Sequence, residues 1–216
     1  MRLELAERLR CPGAHAPSPL IVVAQETHDR VLHRAIVGCA VCGFEARIAS
    51  GVLTLPSGFA VRRADDGVDP TADVADVADV ERLAALLHLD APGGAILLAG
   101  GYARFGAPLA SGHGVQAIAL VPPAVTRGAA PAIPFTDATF RAAAVEVMPP
   151  TLLGDLPRVV TPGGRIVAVA ETEPPVGVQL LARDDREWVA ATEGGRGAMV
   201  ALQRPMAARR PPIVER

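Results

Sequence analysis

The apolar positions of this chain change period near residue 92. Before it, short runs at 20–24, 34–37 and 45–48 read as strands, and Gly51 begins a return. A short amphipathic helix is expected over 3–9, where apolar and charged residues alternate. Pro56-Ser57-Gly58 and the polar stretch 62–70 break the pattern, so a small β-rich module is expected over 1–60 with a linker over 61–70. Asp69-Pro70-Thr71 then opens a helix in which Val74, Val77, Val80, Leu83 and Leu87 recur at three- or four-residue steps, making one apolar stripe. Asp73, Asp76 and Asp79 fall on another face, as a solvated acidic row does.

From Pro92 the runs become short, continuous and bounded by glycine: 95–99, 115–121, 142–147, 165–170, 178–182 and 198–203. Continuous apolar strands are covered on both faces, as in an α/β sheet. Residues 151–160 supply a crossover helix stopped by Pro162-Gly163-Gly164, and the last two runs read as a terminal antiparallel hairpin. The fold class expected is therefore α/β, a β-rich module followed by a reduced sheet domain over 71–204. Prolines in 205–216 oppose helix and central strand, so this tail reads as an extended docking segment.

Composition narrows the chemistry. At 216 residues, half of them hydrophobic and with a net charge of −2, the chain is expected to be globular and cytoplasmic. No apolar run approaches the roughly 20 residues of a membrane span, and the first residues carry no signal-peptide core. All 21 basic residues are arginine, a pattern of GC-rich coding bias, so the arginine excess says little about phosphate binding. The absence of lysine excludes P-loop, Schiff-base and lysine-base chemistry.

All 3 cysteines lie in two knuckle-like segments, Cys11-Pro12-Gly13-Ala14-His15 and Cys39-Ala40-Val41-Cys42-Gly43. Cysteines two residues apart on a tight turn grip one Zn²⁺ from the same side, and a second turn completes a tetrahedron. Cys11, Cys39 and Cys42 are the expected ligands of a structural zinc, with His15 as fourth ligand and His33 or His28 as substitutes. An odd cysteine count argues against a disulfide framework. His113, between Gly112 and Gly114, reads as a surface loop residue, and Trp188 as a packed aromatic near the hairpin.

Two stretches resemble known families. Leu9-Arg10-Cys11-Pro12 together with Gly38-Cys39-Ala40-Val41-Cys42-Gly43-Phe44 resembles the zinc-ribbon family of methyltransferase activators and small bacterial relatives. Residues 80–204 resemble class I S-adenosylmethionine-dependent methyltransferases, best in Leu152-Leu153-Gly154-Asp155-Leu156-Pro157-Arg158-Val159-Val160-Thr161-Pro162-Gly163-Gly164-Arg165 and in Ile133-Pro134-Phe135. That resemblance implies a Rossmann-like methyltransferase sheet whose first strand runs into a glycine loop, Ala99-Gly100-Gly101-Tyr102.

The cofactor positions depart from that family. Leu98 stands where its acid belongs, Tyr102 where a further glycine is expected, and Ala119-Leu120-Val121-Pro122-Pro123 offers no carboxylate for ribose. Arg141 follows Phe140 in place of an Asp, and the helix expected after Ala170 has shrunk to Glu171-Thr172-Glu173-Pro174-Pro175. The resemblance thus implies a non-catalytic methyltransferase-like accessory or structural subunit that works with a protein partner and does not bind S-adenosylmethionine. The alternative is an active methyltransferase holding its cofactor through Gly100, Gly101 and Tyr102. Nucleic acid is not expected as a partner, because near-neutral charge and a single Trp and Tyr leave few stacking groups.

Overall fold

A computed structural model describes residues 1–64, 75–121, 132–146 and 148–193. In chain order these form α1 (Leu3–Ala6), β1 (Ile21–His28), β2 (Val31–Gly38), β3 (Glu45–Ala49), β4 (Val52–Thr54), β5 (Ala60–Arg63), α2 (Val77–Leu86) and β6 (Ala95–Ala99). A 3₁₀ helix (Gly100–Phe105), α3 (Gly106–His113), β7 (Gln116–Val121), β8 (Phe140–Val145), α4 (Pro150–Val159), β9 (Val160–Val169), β10 (Val178–Arg183) and β11 (Glu187–Thr192) follow. The fold is mixed α/β and dominated by its sheet.

All the strands join one 11-stranded sheet in the order β1-β2-β3-β4-β5-β7-β6-β8-β9-β11-β10. Its centre, β7-β6-β8-β9, is parallel, and both flanks are antiparallel. β5 joins the halves: Leu53 of β4 pairs with Val61, which in turn faces Leu120 of β7. The N-terminal strands are therefore continuous with the central sheet, and residues 61–63 of the expected linker are strand; 65–70 lie outside the described residues.

Successive strand residues point to opposite faces, and the core divides accordingly. Leu97, Ala99, Ile118, Leu120, Ala143 and Val145 face α4 and the N-terminal module, where Met1, Leu9, Leu53, Phe59 and Phe135 are also buried. Ile96, Leu98, Ala117, Ala119, Ala142 and Ala144 face Leu83, Leu87 and Leu109 of the α2–α3 side. Burial on both faces explains why β6, β7 and β8 read as continuous apolar runs. Trp188, fully buried, anchors the far flank; its indole N–H donates to the carbonyl of Thr172 at 2.9 Å and to its hydroxyl at 3.0 Å.

Several expected elements are corrected. α2 starts at Val77, not near residue 71, because the carboxylate of Asp76 accepts from Ala78 N–H at 3.1 Å and caps the helix there. Val77 is consequently exposed at the helix start instead of sharing the buried stripe of Val80, Leu83 and Leu87, and Asp76 is a cap instead of part of an acidic row; Asp73 and Val74 lie outside the described residues. The hairpin partner of β10 is β11, Glu187–Thr192, a strand hidden in the sequence because charged residues precede it; the run 198–203 and the tail 205–216 lie outside the described residues. β10 is an exposed edge, with Leu180 and Leu181 each 47% exposed, and is not covered on both faces. Pro162-Gly163-Gly164 does not separate helix from strand. It lies inside β9, where pairing jumps from Phe140↔Val160 to Ala142↔Arg165 and the extra β9 residues bulge.

Candidate metal centre

Two turns carry the cysteines and histidine to one point. The first leaves α1 and is closed at its base by Cys11 N–H to Ser18 C=O at 2.9 Å. The second links β2 to β3, closed by Cys39 N–H to Phe44 C=O at 2.9 Å and by Gly43 N–H to Cys39 C=O at 3.1 Å. Gly43 takes φ of +69°, a left-handed turn that glycine adopts without steric cost. Each turn also aims a backbone N–H at its leading sulfur: Gly13 at Cys11 and Val41 at Cys39, both 3.4 Å.

The donor atoms of Cys11, His15, Cys39 and Cys42 all lie within 4.8 Å of one another, close enough to hold a metal ion. Cys11 Sγ is 3.5 Å from Cys42 Sγ, and Cys39 Sγ is 3.5 Å from His15 Nε2. A tetrahedron with metal–sulfur bonds of about 2.3 Å has edges of about 3.8 Å, so these separations fit one ion at the centre. His15 Nδ1 lies 2.7 Å from the carbonyl of Ala16; donating its proton there leaves the Nε2 lone pair aimed at the thiols. Gly13 is packed under the cluster, where a Cβ would meet Cys11 Sγ and Cys42 Sγ at 3.3 Å and His15 Cδ2 at 3.2 Å. Of the histidines considered for the fourth position, His15 alone joins the group; His28 and His33 meet edge to face in the β1–β2 hairpin, ring centroids 5.5 Å apart.

The thiols do not share one acidity. Burial, reinforced by the neighbouring thiols of Cys42 and Cys39 and opposed by the N–H of Gly13, pushes Cys11 up to about 11. Burial also opposes ionisation of Cys39, yet the N–H groups of Cys42 and Val41 and the thiols of Cys11 and Cys42 bring it down to about 6. A metal held here by thiolates would displace thiol protons on binding.

The glycine loop lies elsewhere, at the carboxyl ends of the parallel strands. β6 lies between β7 and β8, so the crevice opened by divergent connections falls beside Gly100 and Gly101. Gly100 adopts φ of +67° and starts the 3₁₀ helix. Gly101 N–H donates to the carboxylate of Glu146, just past β8, and a Cβ on Gly101 would run into that carboxylate. The Tyr102 hydroxyl donates to Glu187 at 2.9 Å, and Glu187, only 6% exposed, is ion-paired with Arg82 of α2. Burial and the adjacent Glu187 carboxylate push the Tyr102 phenol well above its ordinary range. The crevice that remains has a volume of about 200 Å³.

Glu146, Glu187 and Arg82 were not singled out in the sequence. An acid ending the otherwise apolar run 142–147 is a usable signal for Glu146; Glu187 and Arg82 meet only through the fold. His113 is corrected: it is the last residue of α3, not a surface loop residue, and its Nε2 lies 3.7 Å from Glu81 of α2. Among the described residues no helix is long and apolar enough to cross a membrane. No family model matches the chain and no curated protein matches it.

Proposed function

We propose that this chain is a non-catalytic, methyltransferase-like accessory subunit, stiffened by a structural zinc and acting through a protein partner. The observation that carries this reading is the self-contained crevice at Gly101. The N–H a cofactor carboxylate would take is bonded to Glu146, the Tyr102 hydroxyl to Glu187, and Glu187 to Arg82. Small-molecule sites usually span about 300–1,000 Å³ and converge free polar groups on the ligand; this crevice has about 200 Å³, and Gly101 N–H, Tyr102, Glu187 and Arg82 are bonded to one another or to Glu146. Leu98 and Ala99 end β6 without a carboxylate, and Leu120 and Val121 end β7 likewise.

Two further features support the reading. The strand order β7-β6-β8-β9, with antiparallel β11 inserted before β10, suits a doubly wound sheet of the kind the resemblance implies. Three sulfurs and an imidazole suit zinc, and four protein ligands leave no open position for substrate, which is the pattern of a structural ion. Among the described residues both sheet edges, β1 with exposed Ile21 and Val23 and β10 with exposed Leu180 and Leu181, have an unpaired side that suits strand pairing with a partner. Isothermal titration of the zinc-loaded chain with S-adenosylmethionine and its demethylated product tests the proposal. No saturable heat is expected up to about 1 mM; a dissociation constant in the low micromolar range overturns it and favours the active enzyme.

A further inference from the structure

A second, larger cleft lies at the opposite end of the parallel strands from the Gly101 crevice. It has a volume of about 500 Å³ and is walled by α1, the end of β5 and the starts of β6 and β7. Arg2, Arg8 and Arg63 line it. Among the described residues the only carboxylate lining it is Glu4, which is already bonded to Arg30 at 2.7 Å. Arg63 takes part in a further interaction, whereas the guanidinium groups of Arg2 and Arg8 donate no hydrogen bond among the described residues.

The floor adds an uncharged donor. Gln116 starts β7 and lines the cleft, and its side-chain amide nitrogen is buried with no acceptor. An unsatisfied buried donor costs free energy; Gln116 as a whole is half-buried, and turning its side chain toward the cleft would give the donor an acceptor oxygen there and remove that cost. Close approach is possible because Gly93 and Gly94 hold the rim in left-handed turns, with φ of +94° and +75°, and carry no side chain over it.

We infer that this cleft is a binding site for a small phosphate-bearing anion, held by the guanidinium groups of Arg2 and Arg8 and by the Gln116 amide. Guanidinium forks match phosphate oxygens, and phosphate supplies acceptors in several directions at once, as dispersed donors require. The net charge of −2 disfavours a long polyanion, so the ligand is a small molecule and not a nucleic acid strand. The site is independent of the zinc cluster and of the Gly101 crevice.

The test is titration of the full, zinc-loaded chain with inorganic pyrophosphate at low ionic strength, with sulfate and a single-stranded RNA oligonucleotide as parallel arms. Saturable one-to-one binding of pyrophosphate is expected, weakened about tenfold by each of Arg2→Gln and Arg8→Gln, as loss of a charged hydrogen bond implies. Gln116→Leu separates binding from packing: it removes an unpaired buried donor, so the melting temperature should hold or rise while pyrophosphate affinity falls several-fold. No saturable binding, equal affinity in the arginine variants, a melting temperature lowered by Gln116→Leu with affinity unchanged, sulfate equal to pyrophosphate, or RNA bound more tightly through the same arginines would each overturn the inference.

Discussion

The backbone amide of Gly101 donates to the carboxylate of Glu146, which lies 45 residues further along the chain. The bond spans the gap between β6 and β8, where a doubly wound sheet ordinarily receives its ligand. The protein thereby satisfies that donor with its own carboxylate. Glu146→Ala should cost about 1 kcal/mol of stability, measured by urea denaturation, by leaving that amide to water. It should not create affinity for S-adenosylmethionine, because Tyr102, Glu187 and Arg82 still fill the crevice.

The metal centre makes ligand-specific predictions. Native mass spectrometry should find one Zn²⁺ per chain, lost from Cys39→Ser and weakened by about 10-fold or more in His15→Ala. His33→Ala and His28→Ala should retain it, since both rings sit in the β1–β2 hairpin. Metal content well below half an equivalent in protein with reduced thiols would remove the zinc assignment.

Gly13 gives a subtler test of the same site. An alanine there brings a methyl to 3.3 Å from two of the sulfurs, tighter than ordinary contact, so the turn must shift and the tetrahedron with it. Gly13→Ala should speed zinc loss to a chelator several-fold while leaving the far flank around Trp188 folded. Unchanged zinc release would mean that the first turn is slack.

The chain holds a single tyrosine, so absorbance at 295 nm titrates Tyr102 alone. Burial and Glu187 raise its folded-state value above the ordinary value of about 10. The stabilisation linked to this phenol is therefore complete below pH about 10 and disappears as pH rises through the folded value. At pH 10 to 11 the native protein should show less phenolate than the denatured chain at the same pH. Glu187→Gln should bring ionisation down towards the ordinary range.

Trp188 is also the chain's single tryptophan, and its burial makes fluorescence a probe of the β9–β11–β10 flank. Emission should be blue-shifted in the native state. Trp188→Phe keeps much of the apolar contact but abandons the bonds to Thr172, at an expected cost of about 1–3 kcal/mol in denaturant unfolding.

Much of the architecture was legible locally. Strands β6, β7 and β8 announce themselves as apolar runs because both faces are buried, and the knuckles announce themselves because zinc geometry demands short spacing between ligands on one turn. The same local reading named Trp188 as packed and the three cysteines as one set. It also placed α4 within one residue, since helix periodicity needs no distant partner.

What remained hidden depends on residues distant in sequence. The choice of His15 over His33 follows from how the β1–β2 hairpin carries His33 away from the sulfurs, and spacing alone does not encode that path. β5 ties the N-terminal strands into the central sheet through backbone hydrogen bonds, which carry no residue signature. The partners of Gly101, Tyr102 and Glu187, and the gathering of Arg2 and Arg8 with Gln116 around one cleft, exist only once segments 45 to 114 residues apart are brought together. Sequence patterns set which faces are apolar and which turns are tight; long-range contact sets which polar groups meet, and here those meetings decide which histidine joins the three cysteines and which groups line the Gly101 crevice.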